Sequence, residues 1–163
     1  LKILRPYVKE GMTVLDIGCG PGFFTLDMAM LVGNKGHVIA ADLQEGMLDK
    51  VRRKIEGTPL SQRITLHKCP EYAIGVTERV DFILAFYVVH EIDQQNLFFR
   101  EMASVMRPNG VMLVVEPPFH VSRKEFGKTL AKAREAGLND GPGPKLRLSK
   151  TALLRVAPAP SPR

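Results

Sequence analysis

Residues 14–25, Val-Leu-Asp-Ile-Gly-Cys-Gly-Pro-Gly-Phe-Phe-Thr, constrain the fold more than any other part of the chain. An apolar run, Val14 to Ile17, is broken only by Asp16, and glycines then alternate at Gly18, Gly20 and Gly22. Behind them, Phe23 to Leu31 reads as a helix with a mostly apolar face. A buried strand, a glycine loop and a helix make the first half of a βαβ unit. Glycine lets the backbone turn sharply and lets a ligand approach the main chain without meeting a Cβ. The helix start offers unpaired N–H groups and a partial positive charge. The ligand this implies carries an anionic or hydroxyl-rich part.

Spacing narrows the ligand. A dinucleotide fingerprint requires Gly-x-Gly-x-x-Gly. Gly18 and Gly20 fit, but the third place is Phe23 and the glycine sits one residue early, at Gly22. Asp16 stands two residues before the first glycine. Residues 15–22 therefore resemble motif I of the class I S-adenosylmethionine-dependent methyltransferases. Within that class the chain is similar to the small-molecule type, the type 11 and type 31 domains and the ubiquinone/menaquinone C-methylating enzymes. Taken alone, the loop also fits other nucleotide-binding α/β folds.

A chain of 163 residues suits one domain. At that size about 70% of the unfolded surface can be buried, so no disulfide or structural metal is required. The longest apolar run, residues 82–89, is too short to span a bilayer. No signal peptide is visible, and the first residue is Leu1 rather than Met. Cys19 and Cys69 are the only cysteines, and the histidines are dispersed, so neither a disulfide framework nor a metal site is expected. A cytoplasmic location is the default. Net charge is +6, unevenly spread. Residues 1–117 hold 13 basic against 14 acidic groups (−1), and residues 118–163 hold 10 against 3 (+7). A basic C-terminal third either attracts an anionic partner or is a solvated helix face with a ragged tail.

Along the chain, residues 2–10 read as the end of a helix closed by Gly11. The first strand is predicted over 13–17 and its helix over 21–32. A second strand, 37–42, ends in Asp42, which lies 20 residues beyond Gly22. An acid there can accept hydrogen bonds from both ribose hydroxyls, or can simply cap the next helix. Met47, Leu48, Val51 and Ile55 recur at helical spacing. Strands are predicted over 64–67 and 80–87. Asp93 is a candidate N-cap for a helix over 94–106 with Leu97, Phe98, Met102 and Val105 inward. Residues 107–110 read as a turn into a fifth strand over 111–116. Ser122 and Glu125 fit a capping box, with Val121 stapling to Phe126. Residues 145–148 and 152–156 read as a short edge hairpin, and 157–163 as a Pro/Ala tail. Residues 1–156 thus form a single domain.

The resemblance implies an α/β fold: a three-layer Rossmann-like sandwich with a mostly parallel seven-stranded sheet and a C-terminal antiparallel hairpin. It also implies an N-terminal helical cap, of which few residues precede motif I here. S-adenosylmethionine is the implied cofactor, with S-adenosylhomocysteine as product. By the same resemblance, Gly18, Cys19, Gly20 and Gly22 lie along the methionine moiety, and Asp16 orients its ammonium. Asp42 holds the ribose, and Leu43 and Met47 lie towards the adenine. Cys69 and Pro70 flank the adenine edge, and Ala85 and Phe86 approach the methionine end. Many relatives carry Gly-Asp-Ala where this chain has Lys68-Cys69-Pro70. Either Glu71 substitutes for the missing acid, or backbone groups and apolar walls hold the adenine.

Methyl transfer from a sulfonium is an in-line displacement, so the protein mainly aligns the reactants and excludes water. His90 is the one candidate base, placed after the fourth strand; alternatively it makes one structural hydrogen bond. Glu116-Pro-Pro-Phe119 reads as a strand-ending proline pair. It differs in place and first residue from the motif of amino-methylating nucleic-acid enzymes, which favours a small-molecule acceptor over nucleic acid. The alternatives are an RNA methyltransferase using Lys124, Lys128 and Lys132, a cofactor-binding but inactive domain, and a nicotinamide-dependent oxidoreductase. No membrane insertion is expected. A homodimer is compatible with the sequence, which leaves the oligomeric state open.

Overall fold

The computed structural model describes residues 2–156. The Pro/Ala tail predicted over 157–163 lies outside the described residues. Seven strands form one sheet: β1 (Thr13–Ile17), β2 (His37–Asp42), β3 (Ile64–Lys68), β4 (Val80–Phe86), β5 (Met106–Glu116), β6 (Leu138–Pro142) and β7 (Lys150–Val156). Their order is β3-β2-β1-β4-β5-β7-β6. The pairs β3·β2, β2·β1, β1·β4 and β4·β5 are parallel, and β7 runs antiparallel to both β5 and β6. The helices are α1 (Phe23–Val32), α2 (Glu45–Ile55), α3 (Gln95–Val105) and α4 (Arg123–Glu135).

Strand alternation builds two cores. Val14, Val38, Phe82, Leu84, Leu113 and Val115 face one side, where Met28, Ala29 and Val32 of α1 and Leu48, Val51 and Ile55 of α2 cover them. Leu15, Ile39, Ile83, Ala85, Met112 and Val114 face the other, under Phe98, Phe99, Met102 and Val105 of α3 and Phe126 and Ala133 of α4. Both faces of the central strands are therefore buried, which explains their near-continuous apolar runs. Sheet and helix layers make the three-layer sandwich that the resemblance implied.

Several local expectations need correction. Residues 2–7 form hydrogen-bonded turns, not a helix, and Leu4 and Val8 are buried against the α1 side. Gln94, rather than Asp93, is the N-cap residue of α3, and Leu97 points outward while Phe99 packs inward. Residues 107–110 do not precede the fifth strand but interrupt it. Val80 pairs with Met106 and Phe82 with Val111, so the extra residues bulge out of the ladder. The edge hairpin joins β6 to β7, and residues 145–148 lie in its connecting loop. The hydrophobic pattern of 145–148 misled because Leu146 packs against the α1-side core from a loop.

The capping box at α4 is present: Ser122 Oγ accepts the Glu125 amide at 3.2 Å, and a Glu125 carboxylate oxygen accepts the Ser122 amide at 2.7 Å.

Candidate active site

The carboxyl ends of β1, β2, β4 and β5 meet at one edge of the sheet, as register pairs Ile17 with Ala41 and Ala85, and Phe86 with Val115. In open α/β sheets, ligands bind outside this edge. The glycine loop after β1 lies there. Gly18, Gly20 and Gly22 all have positive φ, +62°, +52° and +82°. A Cβ on Gly18 would stand 2.7 Å from Cγ2 of Val88, so the segment after β4 closes directly onto the loop. A Cβ on Gly20 would meet nothing within 4 Å, which leaves its backbone open to a ligand. Gly22 is the left-handed N-cap of α1, and the first turn of that helix has no side-chain cap.

Asp42 ties these parts together. Its Oδ2 accepts the Gly20 amide at 2.8 Å and its Oδ1 accepts the Gln44 amide at 2.8 Å. Its backbone carbonyl accepts the Cys69 amide at 3.0 Å. Asp42 is not the cap of α2, whose N-cap is Gln44 with no side-chain cap. A carboxylate has about four lone-pair sites, so each of its oxygens keeps one. Asp16 is buried beneath the loop and accepts the Thr25 hydroxyl at 2.6 Å. Burial pushes its pKa up to about 7, with the Asp42 charge adding to the effect and the Thr25 hydrogen bond opposing it. Cys19 and Cys69 are buried, and burial raises both thiols, that of Cys69 to about 11. The Cys19 amide donates to the Ala41 carbonyl at 3.1 Å and its carbonyl accepts the Gly22 amide at 3.0 Å, which fastens the loop to β2.

Phe86 at the end of β4 packs its ring 4.6 Å from that of Phe24 and 4.3 Å from that of Tyr87. These three line a groove of about 500 Å³ with Leu146, Arg147 and Ser149 of the β6–β7 loop and Lys2 and Ile3. The groove is largely open to solvent. Tyr87 (φ 59°) and Leu148 (φ 61°) hold left-handed backbone conformations, and the Tyr87 hydroxyl is 2.8 Å from Ser149 Oγ. Such strain costs on the order of 1 kcal/mol per residue and is held in place by its surroundings.

A third feature lies beyond the ends of β4 and β5. His90 Nδ1 is 2.6 Å from Oε2 of Glu116, the last residue of β5. Glu116 is 1% exposed, whereas the His90 side chain is 26% exposed. Burial raises the Glu116 carboxyl above its ordinary range, and the adjoining His90 opposes that shift. Glu116 Oε1 is buried without a hydrogen-bond partner.

Residues 8–139 match the family described as methyltransferase domain. The chain belongs to this methyltransferase family. The ubiquinone/menaquinone biosynthesis C-methyltransferase of Shewanella oneidensis is 29% identical over 122 residues, covering 72% of this chain and 49% of its own length. The demethylmenaquinone methyltransferase of Lactobacillus johnsonii is 29% identical over 110 residues, covering 67% and 45%. The chain thus spans about half the length of the curated relatives it matches. A SAM-dependent methyltransferase from Aquifex aeolicus is similar in structure, with a TM-score of 0.80 at 30% identity over 94% of this chain and 86% of that one. Aeropyrum pernix fibrillarin with natively bound S-adenosyl-L-methionine has a TM-score of 0.72 at 15% identity over 92% and 68%, which speaks for the fold alone.

Within the methyltransferase domain, the structure draws Asp16, Gly18, Cys19, Gly20, Gly22, Asp42, Cys69, Ala85 and Phe86 to one edge. Leu43 (53% exposed) and Met47 follow Asp42 at the start of α2, and exposed Pro70 follows Cys69. Glu71, one candidate for the missing acid, is exposed and accepts the Tyr72 hydroxyl at 3.1 Å. The basic C-terminal third is partly engaged internally: Lys132 reaches Gln95, Arg134 reaches Asp140 and Lys150 reaches the Pro118 carbonyl. Among the described residues, no helix is long and apolar enough to cross a membrane, and no group of three or more His, Cys, Asp or Glu could hold a metal.

Sequence reasoning missed Glu116, Tyr87 and Val88. A signal existed for Glu116. It is an acid ending an apolar strand, the same signal that singled out Asp42.

Proposed function

We propose that this domain transfers a methyl group from S-adenosylmethionine to a small-molecule acceptor. The observation that carries the reading is the Asp42–Gly20 link. It holds an acid with one free lone pair per oxygen beside a glycine whose missing Cβ leaves open space. Asp42 takes the two ribose hydroxyls. The uncapped start of α1 takes the methionine carboxylate, and Gly18, Cys19 and Gly20 lie along the methionine moiety. Asp16 orients the ammonium, and Leu43, Met47, Cys69 and Pro70 border the adenine. Ala85 and Phe86 border the methionine end. When bound, the sulfonium supplies the methyl carbon and a good leaving group. The chain's part is alignment for in-line displacement and exclusion of water, with Phe24, Phe86 and Tyr87 as the apolar wall of the acceptor groove.

The names of the quinone-methylating relatives favour an aromatic acceptor. The test is release of S-adenosylhomocysteine from S-adenosylmethionine in the presence of a 2-prenyl-1,4-naphthoquinol, with naphthylamine and a structured RNA as competing acceptors. Release with the quinol supports the reading. Cofactor binding without consumption across the panel supports the inactive-domain alternative instead, and methylation confined to RNA supports the nucleic-acid one.

A further inference from the structure

Residues 69–79 join β3 to β4 without forming helix or strand. They start at Cys69 and Pro70, which border the adenine in the reading above. The middle of this segment is clamped from two sides. The Ile74 amide donates to Glu101 Oε2 at 3.0 Å, and the Gly75 amide donates to Glu101 Oε1 at 2.5 Å. Glu101 lies on α3, which Phe98, Met102 and Val105 anchor in the core. From β3, His67 Nε2 lies 2.7 Å from the Ile74 carbonyl. A carbonyl only accepts, so that nitrogen carries the hydrogen. Bonds from two consecutive amides to one carboxylate are charge-assisted and fix both peptide planes.

The clamp is continuous with the cofactor edge. A Cβ on Gly75 would stand 3.0 Å from Cδ of Pro70, so the Gly75 backbone backs the proline ring directly. The Cys69 amide in turn donates to the Asp42 carbonyl at 3.0 Å. The Glu101 charge also adds to the rise of the Cys69 thiol, so the carboxylate acts on this edge electrostatically. The polar groups of the edge itself are engaged elsewhere. The Cys69 carbonyl accepts Lys68 Nζ at 3.2 Å, Glu71 accepts the Tyr72 hydroxyl, and Pro70 has no N–H to offer.

We propose that Glu101 is a positioning residue for the cofactor: acting through Gly75, it holds the Pro70 wall in place against the adenine, and this preformed wall stands in for the acid missing at position 69. This rests on the cofactor reading above. A loop that is ordered only on binding weakens affinity by the freedom it then loses. Glu101 orders the segment beforehand, and its two oxygens face the loop amides rather than the base.

The experiment combines amide exchange and ligand titration by NMR of the nitrogen-labelled protein. The Ile74 and Gly75 amides are expected to exchange slowly in the wild type and fast in Glu101→Ala. S-adenosylhomocysteine affinity should fall about tenfold or more in Glu101→Ala, and less in Glu101→Gln, whose one carbonyl oxygen accepts one amide. Affinity for S-ribosylhomocysteine, which keeps the ribose and the amino acid but lacks the base, should change less than twofold. Gly75→Ala, which presses a Cβ on Pro70 and leaves Glu101 in place, should show the same base-selective loss. Should Glu101→Ala fail to fold, Glu101→Gln and Gly75→Ala carry the same test. Unprotected Ile74 and Gly75 amides in the wild type overturn the proposal. So does a folded Glu101→Ala that binds S-adenosylhomocysteine as the wild type does, the result of a role in stability alone, or one that loses affinity for both ligands equally. A wild type with protected amides that binds no S-adenosylhomocysteine overturns the cofactor reading and the positioning role with it, whereas the other results overturn the positioning role alone.

Discussion

Asp42 Oδ2 accepts the amide of Gly20 at 2.8 Å, tying the end of β2 to the open glycine of the loop after β1. One carboxylate therefore shapes the loop and presents lone pairs to whatever lies over it.

Gly18 and Gly20 divide between holding the loop and meeting the ligand. Gly18→Ala places a Cβ 2.7 Å from Val88 Cγ2 at φ +62°, so it combines overpacking with a left-handed non-glycine residue. The expected cost is about 2–4 kcal/mol, read as a lowered midpoint in urea unfolding. Gly20→Ala meets no protein atom within 4 Å, so its stability cost is only the conformational one, about 1 kcal/mol. Its Cβ enters ligand space, so its S-adenosylhomocysteine affinity should fall more than tenfold. Equal effects of the two substitutions on stability would refute the division.

Asp16 makes stability depend on pH. Burial moves its carboxyl from 3.8 to about 7, so between these values the folded chain holds a proton that the unfolded chain has lost. Its contribution is full below the lower value, falls as pH rises, and is lost above about pH 7. The swing is at most about 4 kcal/mol. Asp16→Asn should remove this slope. Denaturant unfolding at pH 5 and pH 8 measures it, and an unchanged difference between the two pH values in the variant would sink the assignment.

The α4 cap lies away from the ligand. Ser122→Ala removes the hydroxyl that accepts the Glu125 amide, at a cost of about 1 kcal/mol, or a melting shift of about 2–4 °C. S-adenosylhomocysteine affinity should be unchanged. A change of more than twofold would mean that α4 reports to the site.

The fold was legible where periodicity and buried surface agree. β2 runs over the predicted residues 37–42, because a strand buried on both faces leaves a continuous apolar run ending at a polar residue. The segment over 107–110 was misread because a bulge and a turn use the same residues; only pairing of Met106 with Val80 distinguishes them. Within the site, Asp16, the glycines and Asp42 announced themselves by local spacing. Glu116 carries the same strand-ending signal as Asp42, but its partner His90 lies 26 residues earlier in the chain, across the ladder joining β4 to β5. The groove escaped notice for the same reason. Phe24, Tyr87 and Arg147 meet only when α1, β4 and the β6–β7 loop are assembled.

The most direct test is calorimetric titration of S-adenosylhomocysteine into the wild type and Asp42→Ala, with circular dichroism confirming that both are folded. The account predicts micromolar binding to the wild type and at least tenfold weaker binding to the variant, about 1.4 kcal/mol. Equal affinity in the two proteins, or no binding to a folded wild type, would contradict it.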